Sequence, residues 1–162
     1  MGKSIMWKYI EEEKDRLKDV LSSQQLANFL KEYEWTRLKR ILFVASGSSL
    51  NITLVAKPFF EELAQVEVTG YTPSDITASP IFSELDKETT LVVAISQTGT
   101  SRGTIDAIHF AKHAGLSVLT LTERKETPVA ELGDYYLNFL SGEEPCNAKT
   151  KGVNNSLLLL IL

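Results

Sequence analysis

Residues 90–101 read TLVVAISQTGTS, in which a strand-forming apolar run passes directly into a turn of Ser, Gln, Thr and Gly. Residues 41–49 read ILFVASGSS and have the same build. A helical pattern follows each turn. Strands that are apolar throughout and alternate with helices indicate a parallel sheet with both faces covered. These two stretches therefore predict an α/β fold.

The rest of the chain continues this alternation. Right-handed crossovers and the chain length favour a three-layer, doubly wound sandwich with a five-stranded parallel sheet. Helical spacing over residues 1–35 predicts N-terminal lead-in helices, and residues 36–162 form the predicted sheet domain. The predicted strands are 41–45, 67–71, 90–96, 117–122 and 135–139. The predicted helices are 49–65, 100–114 and about 150 to the end, with shorter turns near 74–78 and 128–132.

Composition excludes several classes of protein. The 162 residues are 43% hydrophobic and 23% charged, as in a globular domain, and the net charge of −4 argues against a nucleic-acid partner. A single cysteine, Cys146, cannot form an internal disulfide. The N-terminus is charged and amphipathic and no run is long enough to span a membrane, so a cytoplasmic protein without a membrane partner is expected.

The turn at residues 96–101 is the strongest functional signal. Ser96, Thr98, Thr100 and Ser101 place four hydroxyls within six residues at the start of a helix, where backbone N–H groups and the helix dipole favour an anion. Gln97 adds an amide and Gly99 permits a tight bend. A helix N-cap needs only one such hydroxyl. The turn lacks the lysine of a P-loop, and GxGxxG is absent, so no cofactor is expected.

The turn at residues 46–49 is the second candidate. Ser48 or Ser49 could simply cap the following helix, and Gly47 allows the bend. In a doubly wound sheet, ligands bind beyond the carboxyl ends of the strands, where both turns lie. If the two strands are neighbours, the two turns can hold one phosphate between them.

A third polar segment, residues 141–152, follows the last strand and contains Glu143, Glu144, Lys149 and Lys151. It either closes over a ligand, with the glutamates as hydrogen-bonding or acid/base groups, or is a solvated loop that Thr150 caps. His109 and His113 have the i, i+4 spacing of metal ligands, but no further ligand lies nearby in sequence, so no metal site is expected.

These three segments, in this order and spacing, resemble the signatures of the sugar isomerase (SIS) domain family, over about residues 35–162. The resemblance is greatest to the first SIS domain of glutamine–fructose-6-phosphate aminotransferase and to related phosphosugar isomerases and fructosamine-6-phosphate deglycases. It implies a flavodoxin-like sheet and a ligand that is a hexose 6-phosphate, or an amino-sugar or fructosamine 6-phosphate.

The resemblance also assigns site residues. It implies that the phosphosugar contacts are Ser49, Ser96, Gln97, Thr98 and Ser101, with Gly47, Ser48, Gly99, Ala148 and Lys149 as additional candidates. Lys149 replaces a serine of the family, and Thr100 replaces its usual glutamate. The family's proton-transfer groups lie in a second SIS domain, so Glu144 is the only candidate catalytic group named here.

Three functions stay open at this point: the N-terminal half of a phosphosugar isomerase or deglycase, a phosphosugar-sensing regulatory domain, and a self-contained isomerase that works as an oligomer. The apolar end, Leu157 to Leu162, carries no helix stop signal, which favours a sequence cut inside a longer protein. That end and the amphipathic lead-in helix both need a covering surface, so a homo-oligomer, or docking onto a second domain of the longer protein, is expected through helices. The chain alone is expected to turn over little substrate.

Overall fold

The computed structural model describes residues 4–77, 81–146 and 149–162. Its five strands are β1 (Arg40–Val44), β2 (Glu67–Tyr71), β3 (Thr90–Ile95), β4 (Ser117–Thr122) and β5 (Tyr135–Asn138). Its α-helices are α1 (Ile5–Ser22), α2 (Gln25–Glu32), α3 (Ser48–Phe59), α4 (Pro73–Thr77), α5 (Arg102–His113), α6 (Pro128–Leu132) and α7 (Lys151–Ile161). Every predicted strand is present within about a residue of its predicted ends. The last residue of the predicted turn 74–78 lies outside the described residues.

All five strands are parallel, in the order β2-β1-β3-β4-β5. After β1 the chain moves outward to β2, returns to the other side of β1 as β3, and continues to β4 and β5. The order therefore reverses between β1 and β3, which pair directly, with Val44 opposite Ala94. The predicted doubly wound, five-stranded sheet is confirmed.

Alternation of side chains along the strands forms two apolar layers. One layer contains Phe43 and Val93 and packs against Leu159 of α7, together with residues of α1 and α2. The other contains Leu42 and Val92 and packs against α4, α5 and α6. Helices thus cover both faces of the sheet, which explains why the strands are apolar throughout and confirms the three-layer sandwich.

The predicted helix 49–65 differs from the structure at its end. The α-helical part ends at Phe59, and residues Phe60–Ala64 form a wider π-helical turn that stops at Gln65, whose φ is 56°. Pro58 lies inside this helix and has no backbone N–H to donate to the preceding turn. This proline is a sequence signal that the hydrogen bonding of the helix is irregular near this end.

The lead-in helix α1 lies against α7. Lys151 Nζ donates to Glu12 Oε2 at 2.6 Å, and Asn154 Nδ2 donates to Glu13 Oε1 at 2.8 Å. The division of the chain into lead-in helices (residues 1–35) and a sheet domain (residues 36–162) stays a prediction. These contacts connect the two predicted parts. In the described part of the chain, no helix combines the length and apolar character that crossing a membrane requires.

Candidate functional site

The two hydroxyl-rich turns lie side by side. Both follow strands of the neighbouring pair β1 and β3, at their carboxyl ends, and each precedes a helix on opposite faces of the sheet. This is the point where strand order reverses, and such a crevice is the usual ligand site of a doubly wound fold. The predicted site requires the strands before the two turns to be neighbours, and β1 and β3 are neighbours.

The first turn presents backbone donors without a side-chain cap. Gly47 is the N-cap of α3, with φ 58° and ψ −132°, and no side chain caps the helix there. Ser48 is exposed and Ser49 is half-buried. A glycine is suited to this backbone conformation, and it leaves the N-terminus of α3 open to a ligand.

The second turn is more tightly organised. Ser101 caps α5: its Oγ accepts from Thr104 N at 3.4 Å and from Thr104 Oγ1 at 2.9 Å, so its own proton is left to donate outward. Thr98 Oγ1 and Thr100 Oγ1 share a hydrogen bond of 3.0 Å, so one of their two protons is used inside the turn. Ser96 is buried at the end of β3.

Gly99 sets the shape of this turn. Its φ is 67°, and a Cβ built on it would lie only 2.1 Å from Thr127 Oγ1. Thr127 is the N-cap of α6, and Val129 N donates to Gly99 O at 3.0 Å. The turn is thus pressed against the start of α6, and a residue with a side chain would push the two apart.

The structure gives Glu144 a role that differs from that of a catalytic acid. Its Oε1 accepts from Thr150 N at 2.8 Å and Lys151 N at 2.9 Å, and its Oε2 accepts from Gly152 N at 2.9 Å. Those N–H groups belong to the first turn of α7 and its N-cap. Glu144 therefore supplies the cap that the hydroxyl of the N-cap residue, Thr150, would otherwise supply, and Thr150 makes no side-chain cap of its own.

Burial acts to raise the pKa of the Glu144 carboxyl, but the backbone N–H donors of Thr150 and Gly152 and the Gln97 amide outweigh it, and the pKa lies below the ordinary 4.5. A general acid at neutral pH needs the opposite shift. The geometry thus favours the capping role, and the catalytic assignment of Glu144 gains no support from it.

The ammonium groups of the two lysines of the third segment are bound by other groups of the protein. Lys149 Nζ donates to the backbone oxygen of Glu144. Lys151 is buried, with its ammonium bound by Glu12 and lying 5.1 Å from the centre of the Tyr9 ring. Ala148 lies outside the described residues.

Sequence reasoning missed the contribution of the loop after β4. Glu123 accepts from Ser141 N at 3.0 Å, from Ser141 Oγ at 2.6 Å and from Gly142 N at 2.7 Å, and Arg124 pairs with Glu143 at 2.5 Å. The sequence signal that could have identified this loop is the charged pair Glu123-Arg124, which directly follows the buried strand β4 at the edge of the sheet where the two serine turns lie.

A cavity of about 510 Å³ opens beside the switch point, between the second turn and the loops after β4 and β5. The charged residues that line it are Glu123, Arg124, Glu126, Glu143, Glu144 and Lys149. Carboxylates outnumber cations there, so the cavity wall is a poor place for a phosphate. Gln97 and Thr98 line this cavity on the side of the second turn.

Among the residues that the structure describes, no group of three or more His, Cys, Asp or Glu side chains could hold a metal ion. His109 and His113 are exposed on α5.

Comparison with known proteins identifies the family. The sequence profile of the SIS domain matches residues 36–162, which is most of the chain. The chain belongs to the SIS domain family. It is 28% identical, over 142 residues, to glutamine–fructose-6-phosphate aminotransferase [isomerizing] of Bartonella henselae, a match that covers 86% of this chain and 23% of that protein. The chain thus spans about a quarter of the length of this curated relative.

Several solved structures resemble this one closely. A candidate phosphosugar isomerase of Clostridium difficile 630 superposes with a TM-score of 0.87 at 30% identity, over 99% of this chain and 44% of that one. The Vibrio vulnificus NanR protein, solved with ManNAc-6P, superposes with a TM-score of 0.76 at 17% identity, over 99% of this chain and 60% of that one, and shows a shared fold. The chain is a SIS domain homologous to those of aminotransferases and phosphosugar isomerases.

Proposed function

We propose that the crevice between the ends of β1 and β3 binds the phosphate of a sugar phosphate. The observation that carries this proposal is the direct pairing of β1 with β3, because it brings two hydroxyl-rich helix starts to one point. The proposed contacts with the sugar phosphate as a whole are Ser49, Ser96, Gln97, Thr98 and Ser101, with Gly47, Ser48, Gly99 and Lys149 around them.

The lack of charged side chains in the two turns suits a phosphate ligand that has to be released after binding. Residues 46–49 and 96–101 contain no acidic or basic side chain. Binding there rests on hydroxyls, backbone N–H groups and the N-terminal ends of α3 and α5. Such a site needs no fixed cation and can release its ligand readily.

The ligand class follows from the family. A SIS relative is named for fructose 6-phosphate, and the NanR structure contains ManNAc-6P. We therefore propose a hexose 6-phosphate, or an amino-sugar or fructosamine 6-phosphate, as the ligand. The chain would serve as the binding half of a phosphosugar isomerase, aminotransferase or deglycase, with negligible turnover on its own. A phosphosugar-sensing domain would share the same binding step.

We also propose that the chain self-associates through its helices. Among the exposed large apolar side chains, two groups of four are close together in sequence. One is on α1, at Ile5, Met6, Trp7 and Ile10, and the other is along α3 and the turn that follows it, at Leu54, Val55, Phe59 and Leu63. Exposed apolar faces of this kind mark interaction surfaces. The terminal residues Leu157 to Leu160 are largely packed inside the domain, while Ile161 and Leu162 are exposed.

Calorimetry with D-fructose 6-phosphate tests the binding proposal. The double variant Ser96→Ala, Thr98→Ala should weaken binding by at least about 2 kcal/mol, since hydrogen bonds to a charged group contribute roughly 1.5–3 kcal/mol each. Thr36→Ala is the control, because Thr36 is exposed and precedes β1 at the opposite edge of the sheet. An unchanged dissociation constant in the double variant would refute the assignment of the phosphate site.

A further inference from the structure

The side-chain amide of Gln97 is held from two sides. Its Nε2 donates to Glu144 Oε2 at 2.7 Å. Gly152, in the first turn of α7, lies against the flat face of the amide, so that a Cβ built on it would be 2.4 Å from Nε2, 2.6 Å from Cδ and 3.0 Å from Oε1. The backbone oxygen of Gln97 also accepts from Glu123 N at 3.1 Å. Gln97, in the turn after β3, is thus held by residues before and at the start of α7 and by a residue of the loop after β4.

The chemistry of Glu144 decides which end of the amide faces it. An ionised carboxylate only accepts hydrogen bonds, and this one also faces backbone N–H donors of Thr150, Lys151 and Gly152. Only the Nε2 end of Gln97 can lie against it. The Oε1 end, on the other branch of the amide, is therefore left as an acceptor.

A hydrogen-bond acceptor cannot bind the oxygens of an ionised phosphate, which are acceptors themselves. It can accept from a sugar hydroxyl. Gln97 borders the cavity of about 510 Å³ that lies beside the phosphate crevice, where the sugar would extend.

We infer that Glu144 and Gly152 are positioning residues that hold Gln97 with its Oε1 available to a hydroxyl of the sugar. Gln97 then recognises the sugar, and the hydroxyls and N–H groups of the two turns recognise the phosphate. This inference rests on the proposed function, since it assumes that a sugar phosphate occupies the site.

The variant Glu144→Gln gives a specific expectation. Its side-chain oxygen would be retained at the Oε1 position, where two backbone N–H groups need an acceptor, so its NH₂ group would take the Oε2 position. That NH₂ would face both the N–H of Gly152 and Nε2 of Gln97, donor against donor. The backbone N–H cannot turn away, but Gln97 can turn its amide over. The sugar hydroxyl would then meet an NH₂ group in place of Oε1.

The experiment measures the dissociation constants of D-fructose 6-phosphate and of inorganic phosphate, by calorimetry, for the full chain and its variants. We expect Glu144→Gln and Gly152→Ala each to weaken binding of the sugar phosphate at least fivefold and to change binding of inorganic phosphate less than twofold. In a Gln97→Ala background, Glu144→Gln should change neither constant more than twofold. Glu62→Gln, an exposed carboxylate at the far end of the helix that starts at the crevice, is the charge-matched control and should change neither.

Side-chain amide signals in ¹H–¹⁵N spectra test the positioning without any ligand. The Gln97 signals, assigned by their loss in Gln97→Ala, should shift in Glu144→Gln and not in Glu62→Gln.

Each result has a distinct meaning. Equal losses for the two ligands, or a further loss from Glu144→Gln in the Gln97→Ala background, would overturn the assignment of Gln97 to the sugar. Unshifted Gln97 signals would overturn the positioning role of Glu144. If the unmodified chain binds neither ligand, both the proposed function and the assignment of Gln97 to the sugar are wrong. The spectra still decide whether Glu144 holds Gln97.

Discussion

Truncation of Glu144 should destabilise the fold far more than truncation of its neighbour. Glu144 is 5% exposed and accepts hydrogen bonds from three backbone N–H groups at the start of α7 and from the Gln97 amide. Glu144→Ala removes the acceptor and leaves these donors without their partner. The adjacent Glu143 has a side chain that is 79% exposed, and it pairs with Arg124, which is 64% exposed.

The magnitude follows from these contacts. Loss of a helix N-cap costs about 0.5–2 kcal/mol, and a buried donor left unsatisfied costs about 1–3 kcal/mol. Water entering the space left by the side chain replaces part of the loss, so the terms do not add in full. We expect Glu144→Ala to lower the free energy of unfolding by about 3 kcal/mol, roughly a hundredfold in the equilibrium constant. Glu143→Ala should cost less than about 1 kcal/mol, because exposed ion pairs contribute little.

Urea denaturation followed by circular dichroism measures both values, with the slope against urea as a check that the unfolded reference is unchanged. The pH dependence is a second measurement. The folded pKa of Glu144 lies below the ordinary 4.5, so its contribution is complete above the unfolded pKa and is lost as the pH falls through the folded pKa. The difference between the unmodified chain and Glu144→Ala should therefore be constant near neutral pH and shrink below pH 4.5. Equal losses for the two alanine variants, or a difference that grows in acid, would refute this reasoning.

Three further predictions concern other parts of the molecule. Gly99→Ala should lower the free energy of unfolding by about 2–4 kcal/mol, because it places a side chain at a left-handed φ and its Cβ would collide with Thr127. The same urea denaturation measures this loss, and a value below about 1 kcal/mol would contradict the close approach of Gly99 to Thr127. Glu12→Gln should lower the free energy of unfolding by about 1–2 kcal/mol, because it leaves the buried ammonium of Lys151 without its counter-charge; the loss is kept small because the Glu12 side chain is 37% exposed. Lys151→Met should cost less, because it removes the buried charge itself. The reverse ranking in thermal or urea unfolding would show that the ion pair is a net stabiliser. Phe59→Glu with Leu63→Glu should lower the mass measured by light scattering toward that of a single chain, and a chain that is monomeric before substitution would rule out the proposed self-association.

The sheet was predictable because its signal is local. Each strand is a short apolar run bounded by turn residues, and burial on both faces makes that run continuous, as in Leu91 to Ile95. The two serine turns were equally visible, since each directly follows such a run. Their adjacency was left as a condition, because the hand of a crossover does not determine on which side of β1 the strand β3 is placed.

The parts that sequence reasoning missed are contacts between segments far apart in the chain. Glu12 and Lys151 are separated by 139 positions, and Tyr9 and Cys146 by 137. No periodicity or spacing marks such pairs. Glu144 was predicted to belong to the site for its carboxylate, but its capping role depends on the direction of three N–H groups, which only the course of the loop before α7 determines.

These distant contacts bear on the role of the lead-in helix. Tyr9 Oη accepts from Cys146 N at 2.9 Å, and Glu12 binds Lys151, so α1 holds the third polar segment on both sides of Lys149. The same segment carries Glu144 and Gly152, which hold Gln97 in the proposed phosphosugar site. A continuous set of contacts thus runs from α1 through the start of α7 to the turn after β3. The first helix is therefore joined by direct contacts to the residues that hold Gln97, even though the family profile begins only at residue 36.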